Sequence, residues 1–366
     1  MNPKISNVEE EGDILRFTLS GVNVSLANAL RRIILSEIPT LAFITEHHET
    51  NQCTIEENTS RLHNEIIRQR LGCIPIHMKE LDVLPGNYVL ELDVSNDTEE
   101  IIYATTEHFK IKNKNNDHYL TQEQTRKIFP ANSITNQYID FVRLRPKISD
   151  TIPGEKIKLK CEFSVSTAKE NSMYNVVSKC SYCNTPDVAK SQQKWEEYES
   201  SLSSDVSNEE RTFQRRNFEL LDAERYFVAD SFDFVIQTLG VFENREILKK
   251  GCMVLQNKFV DFVNAIDADT VPVVVSETTM ENCFDIVLEG EDYTMGKTIE
   301  YIMYDMFYFG EKRLSFCGFK KYHPHNTESI IRVAFIQKED RTSARQCLRT
   351  VSVAAADFFK KLFSMF

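Results

Sequence analysis

Two stretches of this chain, far apart in the sequence, encode the same short structure. Residues Ile14–Leu35 (ILRFTLSGVNVSLANALRRIIL) align without a gap on Cys283–Tyr304 (CFDIVLEGEDYTMGKTIEYIMY). Identities are few (Leu19 with Leu288, Gly21 with Gly290, Ile33 with Ile302), yet the physical pattern repeats at nearly every position. Each copy opens with apolar residues at alternate positions, Leu15, Phe17 and Leu19 in the first, Phe284, Ile286 and Leu288 in the second. That period marks a half-buried strand. Each then turns at a glycine, places Ser25 or Thr294 where a helix cap belongs, and switches to helical spacing. The helical faces are Leu26, Ala29, Leu30, Ile33 and Ile34 in one copy, and Met295, Ile299, Ile302, Met303 and Met306 in the other. A duplicated strand–turn–helix predicts two related modules packed as a pseudo-symmetric pair.

Each half also ends alike. Phe232–Thr238 reads as a strand, followed by a long helix from about Asn244 to Ile266 with Leu248, Cys252, Leu255, Phe259, Phe262 and Ile266 along one line. Leu314–Phe319 and Ser329–Ile336 read as a strand pair around the HPHN turn. A last helix from about Thr342 then carries Leu348, Val351, Ala355, Phe358, Phe359, Leu362 and Phe366 on one side. Inside the first half, Leu62, Ile66, Ile67 and Leu71 make a short amphipathic helix ending at Gly72, and Tyr88–Val94, Ile101–Thr106 and Ile157–Ser166 are strand-like. Residues 187–225 are highly charged, with a solvated helix over Gln192–Leu202.

A chain of 366 residues has room for two or three domains. Its net charge of −12 weighs against a protein that holds nucleic acid by itself, which needs a basic surface. Nine scattered cysteines suit reduced thiols in an intracellular protein better than a disulfide framework. No run approaches the ~18 apolar residues of a membrane span, and MNPKISNVEEEGD lacks the apolar core of a signal peptide. A soluble, intracellular chain is expected.

On the first repeat helix, Leu26, Leu30 and Ile33 cluster on one face at roughly 100° per residue, while Asn28, Arg31, Arg32 and Leu35 point elsewhere. A surface helix needs only one apolar face, so an outward leucine beside two arginines marks a partner contact, against the plainer reading of a solvated charge pair. The second copy has Lys297, Glu300, Tyr301 and Tyr304 at those four positions. The inward face repeats and the outward face diverges, which predicts different partners.

These residues carry a family resemblance. VSLANALRRIILSEIPTLAF resembles the assembly motif of the α subunit of bacterial RNA polymerase and of its larger archaeal and eukaryotic α-like counterpart. NTSRLHNEIIRQRLGCIPIH is similar to the segment that follows in the archaeal and eukaryotic members, and GEKIKLKCEFSVSTAKENSMYNVVSKCSY to the end of their inserted domain. EGEDYTMGKTIEYIMY with LSFCGFKKYHPHNTESIIRVAF resembles the smaller α-like subunit, normally a separate chain.

The resemblance implies an α+β fold with two pseudo-symmetric α-subunit-like dimerisation modules in one chain. The first, residues 1–47 and 226–267, would be interrupted by an inserted mainly-β domain with the charged excursion at 48–225, and the second would be 268–366. It implies a non-catalytic assembly platform for a DNA-directed RNA polymerase, with no cofactor and no metal. Partners would be the β-like and β′-like large subunits and small polymerase subunits, with DNA reached only through the complex and no membrane. Packing between the modules would use Leu26, Leu30, Ile33, Phe259, Phe262, Met295, Ile299, Ile302, Phe359 and Leu362. Asn28, Arg31, Arg32, Leu35, Lys297, Tyr301 and Tyr304 would face partners, with Arg31 and Arg32 on the β-like subunit. Fusions of this kind resemble those of large DNA viruses, which would place the chain in the virion and the host-cytoplasmic virus factory; otherwise it would be nuclear. The cysteine cluster that some larger α-like subunits use for zinc or an iron–sulfur centre is missing, since Met78–Lys160 has no cysteine.

The sequence offers three other chemistries. Cys180 and Cys183 have the spacing of half a zinc site but lack a second close pair, and His47, His48, Cys53, His63, Cys73 and His77 fit no regular ligand spacing. The alternative function is nucleotide binding by Gly296–Lys297–Thr298, between a strand and a helix. A phosphate loop has four residues between its glycines, and EDYTM between Gly290 and Gly296 is one too many.

Overall fold

A computed structural model describes residues 2–149, 151–202 and 207–366. Residues 203–206 of the charged stretch lie outside it, as do Met1 and Asp150. In chain order the elements are β1 (Lys4–Glu11), β2 (Ile14–Ser20), α1 (Val24–Ser36), β3 (Thr40–Ala42), β4 (Cys53–Asn58), α2 (Asn64–Gly72), β5 (Tyr88–Ser95), β6 (Ile102–Thr105), β7 (Lys110–Asn113), α3 (Gln122–Ile128), β8 (Asp140–Leu144), β9 (Lys156–Glu162) and β10 (Ser164–Ser166). They continue with β11 (Val177–Pro186), α4 (Val188–Ser201), α5 (Asn208–Leu221), β12 (Phe227–Thr238), α6 (Asn244–Asp267), β13 (Val273–Val275), β14 (Cys283–Glu289), α7 (Tyr293–Met303), β15 (Leu314–Lys320), β16 (Glu328–Phe335) and α8 (Arg341–Phe363). The fold is mixed α and β. Among the described residues no helix is long and apolar enough to cross a membrane.

The chain divides into two compact units. One comprises Met1–Ile33, Lys179–Gln237 and Leu248–Phe366; the other comprises Ile34–Ser178 and Thr238–Ile247. The helices α4 and α5 of the charged stretch belong to the first.

The first unit holds two four-stranded sheets, ordered β1-β2-β12-β11 and β13-β14-β16-β15. The strands β2 and β14 have the bounds that the sequence alignment pairs residue for residue. In one, Ile14 to Ser20 runs antiparallel to Gln237 to Ser231; in the other, Cys283 to Glu289 runs antiparallel to Ala334 to Glu328. Gln237 precedes the start of α6 by the same distance that Ala334 precedes the start of α8. The turn glycines match too, with φ +71° at Gly21 and +69° at Gly290, a left-handed conformation that side chains with a Cβ resist. At Gly21 a Cβ would also stand 2.4 Å from the carbonyl oxygen of Asn2.

The helix caps sit earlier than the sequence suggests. Asn23, not Ser25, caps α1 by accepting from the Ser25 amide at 2.9 Å; Asp292, not Thr294, caps α7 by accepting from the Thr294 amide at 3.0 Å. Asp outranks threonine as a cap and Asn equals serine, and Asn23 and Asp292 align with each other in the repeat. On α1, Leu26, Ala27, Ala29, Leu30, Ile33 and Ile34 are each no more than 1% exposed. Full burial of each leucine or isoleucine stabilises by about 1.5–3 kcal/mol, so this face fixes the helix in place. Beyond Met303 the backbone widens into a π-helical turn over Tyr304–Gly310, which breaks the register assumed for Met306.

The second unit has a four-stranded sheet ordered β4-β9-β5-β7 and two strand pairs, β3 with β10 and β6 with β8. Its core gathers Phe43, Phe109, Phe129, Phe141 and Phe163 with the inward residues of β5 and β9, Leu90, Leu92, Ile157 and Leu159. Ile67 and Leu71 of α2 are buried there, whereas Ile66, expected on the same face, is 44% exposed.

Candidate partner-binding surface

Within the first unit the two repeat helices meet through polar groups at their edge. Arg32 on α1 places Nη2 2.5 Å from the Asp292 carboxylate, and its Nε donates to Thr294 Oγ1 at 2.8 Å. A cation at a helix N-terminus opposes the helix dipole, and the capping carboxylate of Asp292 offsets that. Burial would raise the pKa of Asp292, but the Thr294 amide and the Arg32 guanidinium outweigh it and hold the carboxyl below its ordinary value. With Arg32 and Asp292 each about a third exposed, the pair contributes at most about 1 kcal/mol. Arg32 is therefore engaged inside the chain, although the sequence places it toward a separate partner.

Three further ion pairs tie the last hundred or so residues to earlier elements of this unit: Lys258 with Glu291 at 3.1 Å, Arg349 with Asp267 at 2.7 Å, and Arg345 with Asp269. The apolar seam is aromatic. Phe259 on α6 and Phe359 on α8 are fully buried and stack with centroids 6.0 Å apart and an interplanar angle of 12°. Met295, Ile299, Ile302 and Leu362 are buried with them in the same unit, and Phe262 is half-buried. At the other end Phe17 packs face to face on Phe234 and edge-on to Phe366.

The outward side of α1 consists of Asn28, Arg31 and Leu35, all half-buried. Arg31 donates from Nε to Asn28 Oδ1 at 3.0 Å, a bond within its own helix that holds the guanidinium ready without consuming its other donors by that contact. On α7, Lys297 reaches Glu300 at 2.5 Å and lies 5.9 Å from the Phe319 ring centroid; Glu300 in turn accepts from the Phe319 amide at 3.0 Å. Tyr301 is half-buried, which pushes its phenol up. Tyr304 is 45% exposed and stacks on Tyr308 at 4.6 Å. The structure thus sets Asn28, Arg31 and Leu35 on one half-buried side of α1 and exposes Tyr304 with Tyr308 beyond α7, while Arg32 closes the junction between α1 and α7. The one sequence signal for Asp292 is its alignment with Asn23 in the repeat.

The glycine–lysine–threonine segment does not suit a phosphate. Thr298 is fully buried and donates its hydroxyl to the Thr294 carbonyl, so it cannot meet a metal–nucleotide. The helix N-terminus, where a phosphate would sit, already carries the Asp292 carboxylate. Gly296 has a packing reason instead: a Cβ there would come 2.0 Å from the Phe319 ring, which is held edge-on by Tyr293. Gly296→Val is expected to destabilise by about 1–3 kcal/mol through overpacking. A urea midpoint equal to wild type would mean the ring moves aside freely.

Cys180 and Cys183 lie on β11, where side chains alternate, so the first is buried and the second exposed on the opposite face. Burial pushes the Cys180 thiol up to about 12. Among the described residues no group of three or more His, Cys, Asp or Glu could hold a metal ion.

Residues 16–259 match the family model for the RNA polymerase Rpb3/Rpb11 dimerisation domain. A conjugation stage-specific protein of Tetrahymena thermophila is 28% identical over 199 residues, covering 50% of this chain and 59% of that protein. DNA-directed RNA polymerase subunit Rpo3 of Pyrococcus furiosus is 37% identical over 106 residues, 28% of this chain and 38% of its own length. The RPAC1 subunit of DNA-directed RNA polymerases I and III of Bos taurus is 25% identical over 307 residues, 73% of this chain and 85% of its own length. The chain thus spans less than two thirds of the first two.

Proposed function

The chain belongs to the RNA polymerase Rpb3/Rpb11 dimerisation-domain family, and from that premise we propose that it is a non-catalytic assembly subunit of a DNA-directed RNA polymerase. In this reading it joins two α-like subunits covalently. Residues 1–47 with 226–267 form the first dimerisation module, 48–225 the inserted domain and 268–366 the second, smaller module. The pair carries β-like and β′-like large subunits and small polymerase subunits, and meets DNA only through them. Its net charge of −12 accords with that indirect role. It would work inside the cell, in the nucleus or, for a viral polymerase, in the virus factory.

The observation that carries the reading is the seam of α6 and α8, where Phe259 stacks on Phe359 within one chain. A dimerisation domain ordinarily needs a second polypeptide to cover that face. Here the covering helix is tethered, which replaces a bimolecular step by one at effective concentrations of order millimolar. The isolated protein is therefore expected to be a monomer of 42.4 kDa by light scattering. A stable homodimer at micromolar concentration would contradict the intramolecular pairing.

A further inference from the structure

Cys53 and Cys161 take no part in the seam or in the outward surface. They face each other in register on the antiparallel strands β4 and β9. The Glu162 amide donates to the Gln52 carbonyl at 3.3 Å, a bond from the residue after one cysteine to the residue before the other. That pattern marks a non-hydrogen-bonded pair, whose Cα atoms stand about 4.5 Å apart with side chains on one face. A disulfide spans Cα separations of about 4.4–6.8 Å, so closure requires little backbone movement.

The two thiols are free and each 1% exposed, and the Cys161 thiol donates to the Glu162 carbonyl at 3.5 Å. The neighbouring Cys161 thiol holds Cys53 below its ordinary pKa against the effect of burial, aided by the charge of Arg68, and the same proximity with burial raises Cys161. Arg68 Nε is buried without a hydrogen-bond partner, so the cation beside Cys53 is not neutralised at that atom. One thiol is thus favoured as thiolate and its neighbour as proton holder. Both cysteines are buried, so a small oxidant reaches them only when the sheet edge opens. The outer strand is β4, and Cys53 is its first residue, joined to the preceding loop by reciprocal bonds with Asn51. Strand ends open at far lower cost than the whole fold.

We propose that Cys53 and Cys161 form an oxidisable dithiol that takes a peroxide as substrate and closes to a disulfide between β4 and β9. The Cys53 thiolate attacks one peroxide oxygen, the O–O bond breaks, and a sulfenic acid forms as hydroxide leaves and is protonated to water. The Cys161 sulfur then attacks the sulfenic sulfur, the S–O bond breaks, and a second water departs with the thiol proton. Two thiols are oxidised by two electrons and one peroxide is reduced to two waters. The product pins an edge strand to its neighbour until a thiol reductant reopens it.

The test is a peptide map of the full chain after hydrogen peroxide, with alkylation of remaining thiols under denaturing conditions. Alkylation at Cys53 and Cys161 is expected to fall together, with a peptide joining the two that dithiothreitol abolishes. In Cys161→Ser, Cys53 is expected to be trapped by dimedone as the sulfenic acid. Persistence of both alkylated peptides while the exposed Cys73 and Cys183 oxidise would overturn the proposal, as would pairing of either cysteine with a different one. The wild-type map gives this answer even where the serine variant does not fold.

Discussion

Phe359→Asp is expected to unfold the first compact unit at room temperature. Phe359 is fully buried, stacked on Phe259 and edge-on to Phe358 at 5.1 Å. Truncation alone, Phe359→Ala, is expected to cost about 3–5 kcal/mol from lost transfer energy and the cavity left behind. An aspartate adds the penalty of an unpaired charge in an apolar seam. Since whole domains are stable by only about 5–15 kcal/mol, that sum approaches the total. Urea unfolding of Phe359→Ala measures the first term, with the exposed Phe316→Ala as a control expected within about 0.5 kcal/mol of wild type. Equal midpoints for Phe359→Ala and the control would mean that α6 and α8 do not share a core.

The second large effect concerns partner capture and separates two arginines that the sequence treats as a pair. Arg32 is spent on Asp292 and Thr294, so its removal is expected to loosen the junction of α1 with α7. Arg31 and Leu35 occupy the half-exposed side of α1, and Arg31 is oriented by Asn28. Arg31→Ala with Leu35→Asp is expected to weaken capture of the proposed β-like partner by about 30-fold, the ~2 kcal/mol of a hot spot, while the melting temperature stays near wild type. Undiminished capture by the double variant, with Arg32→Ala alone reducing it, would transfer the contact to the junction.

How much could be read beforehand follows from where each signal lies. The strands β2 and β14 and the helices after them were legible because each buries one face, and a single buried face writes its period into the sequence. By contrast β1, KISNVEEE, is exposed at all but one position, so it has no alternation to read and exists through its pairing with β2. Composition marks one excursion helix, over Gln192–Leu202, where the structure has two, and it does not reveal the packing of Trp195 against Phe218, since those aromatics are 23 positions apart in different helices. The same limit hid Asp292 from Arg32. Both lie on edges of their helices, and nothing local says which distant carboxylate a guanidinium will find. The π turn over Tyr304–Gly310, with Phe307 buried in it, has no period in the sequence to announce it.

The direct test of the central claim is affinity purification of the tagged chain from its native source, with quantitative mass spectrometry of what accompanies it. Two large RNA polymerase subunits at near-equal amounts to the chain, retained through a moderate-salt wash, are the predicted result. A chain that emerges alone from the same wash would contradict an assembly role.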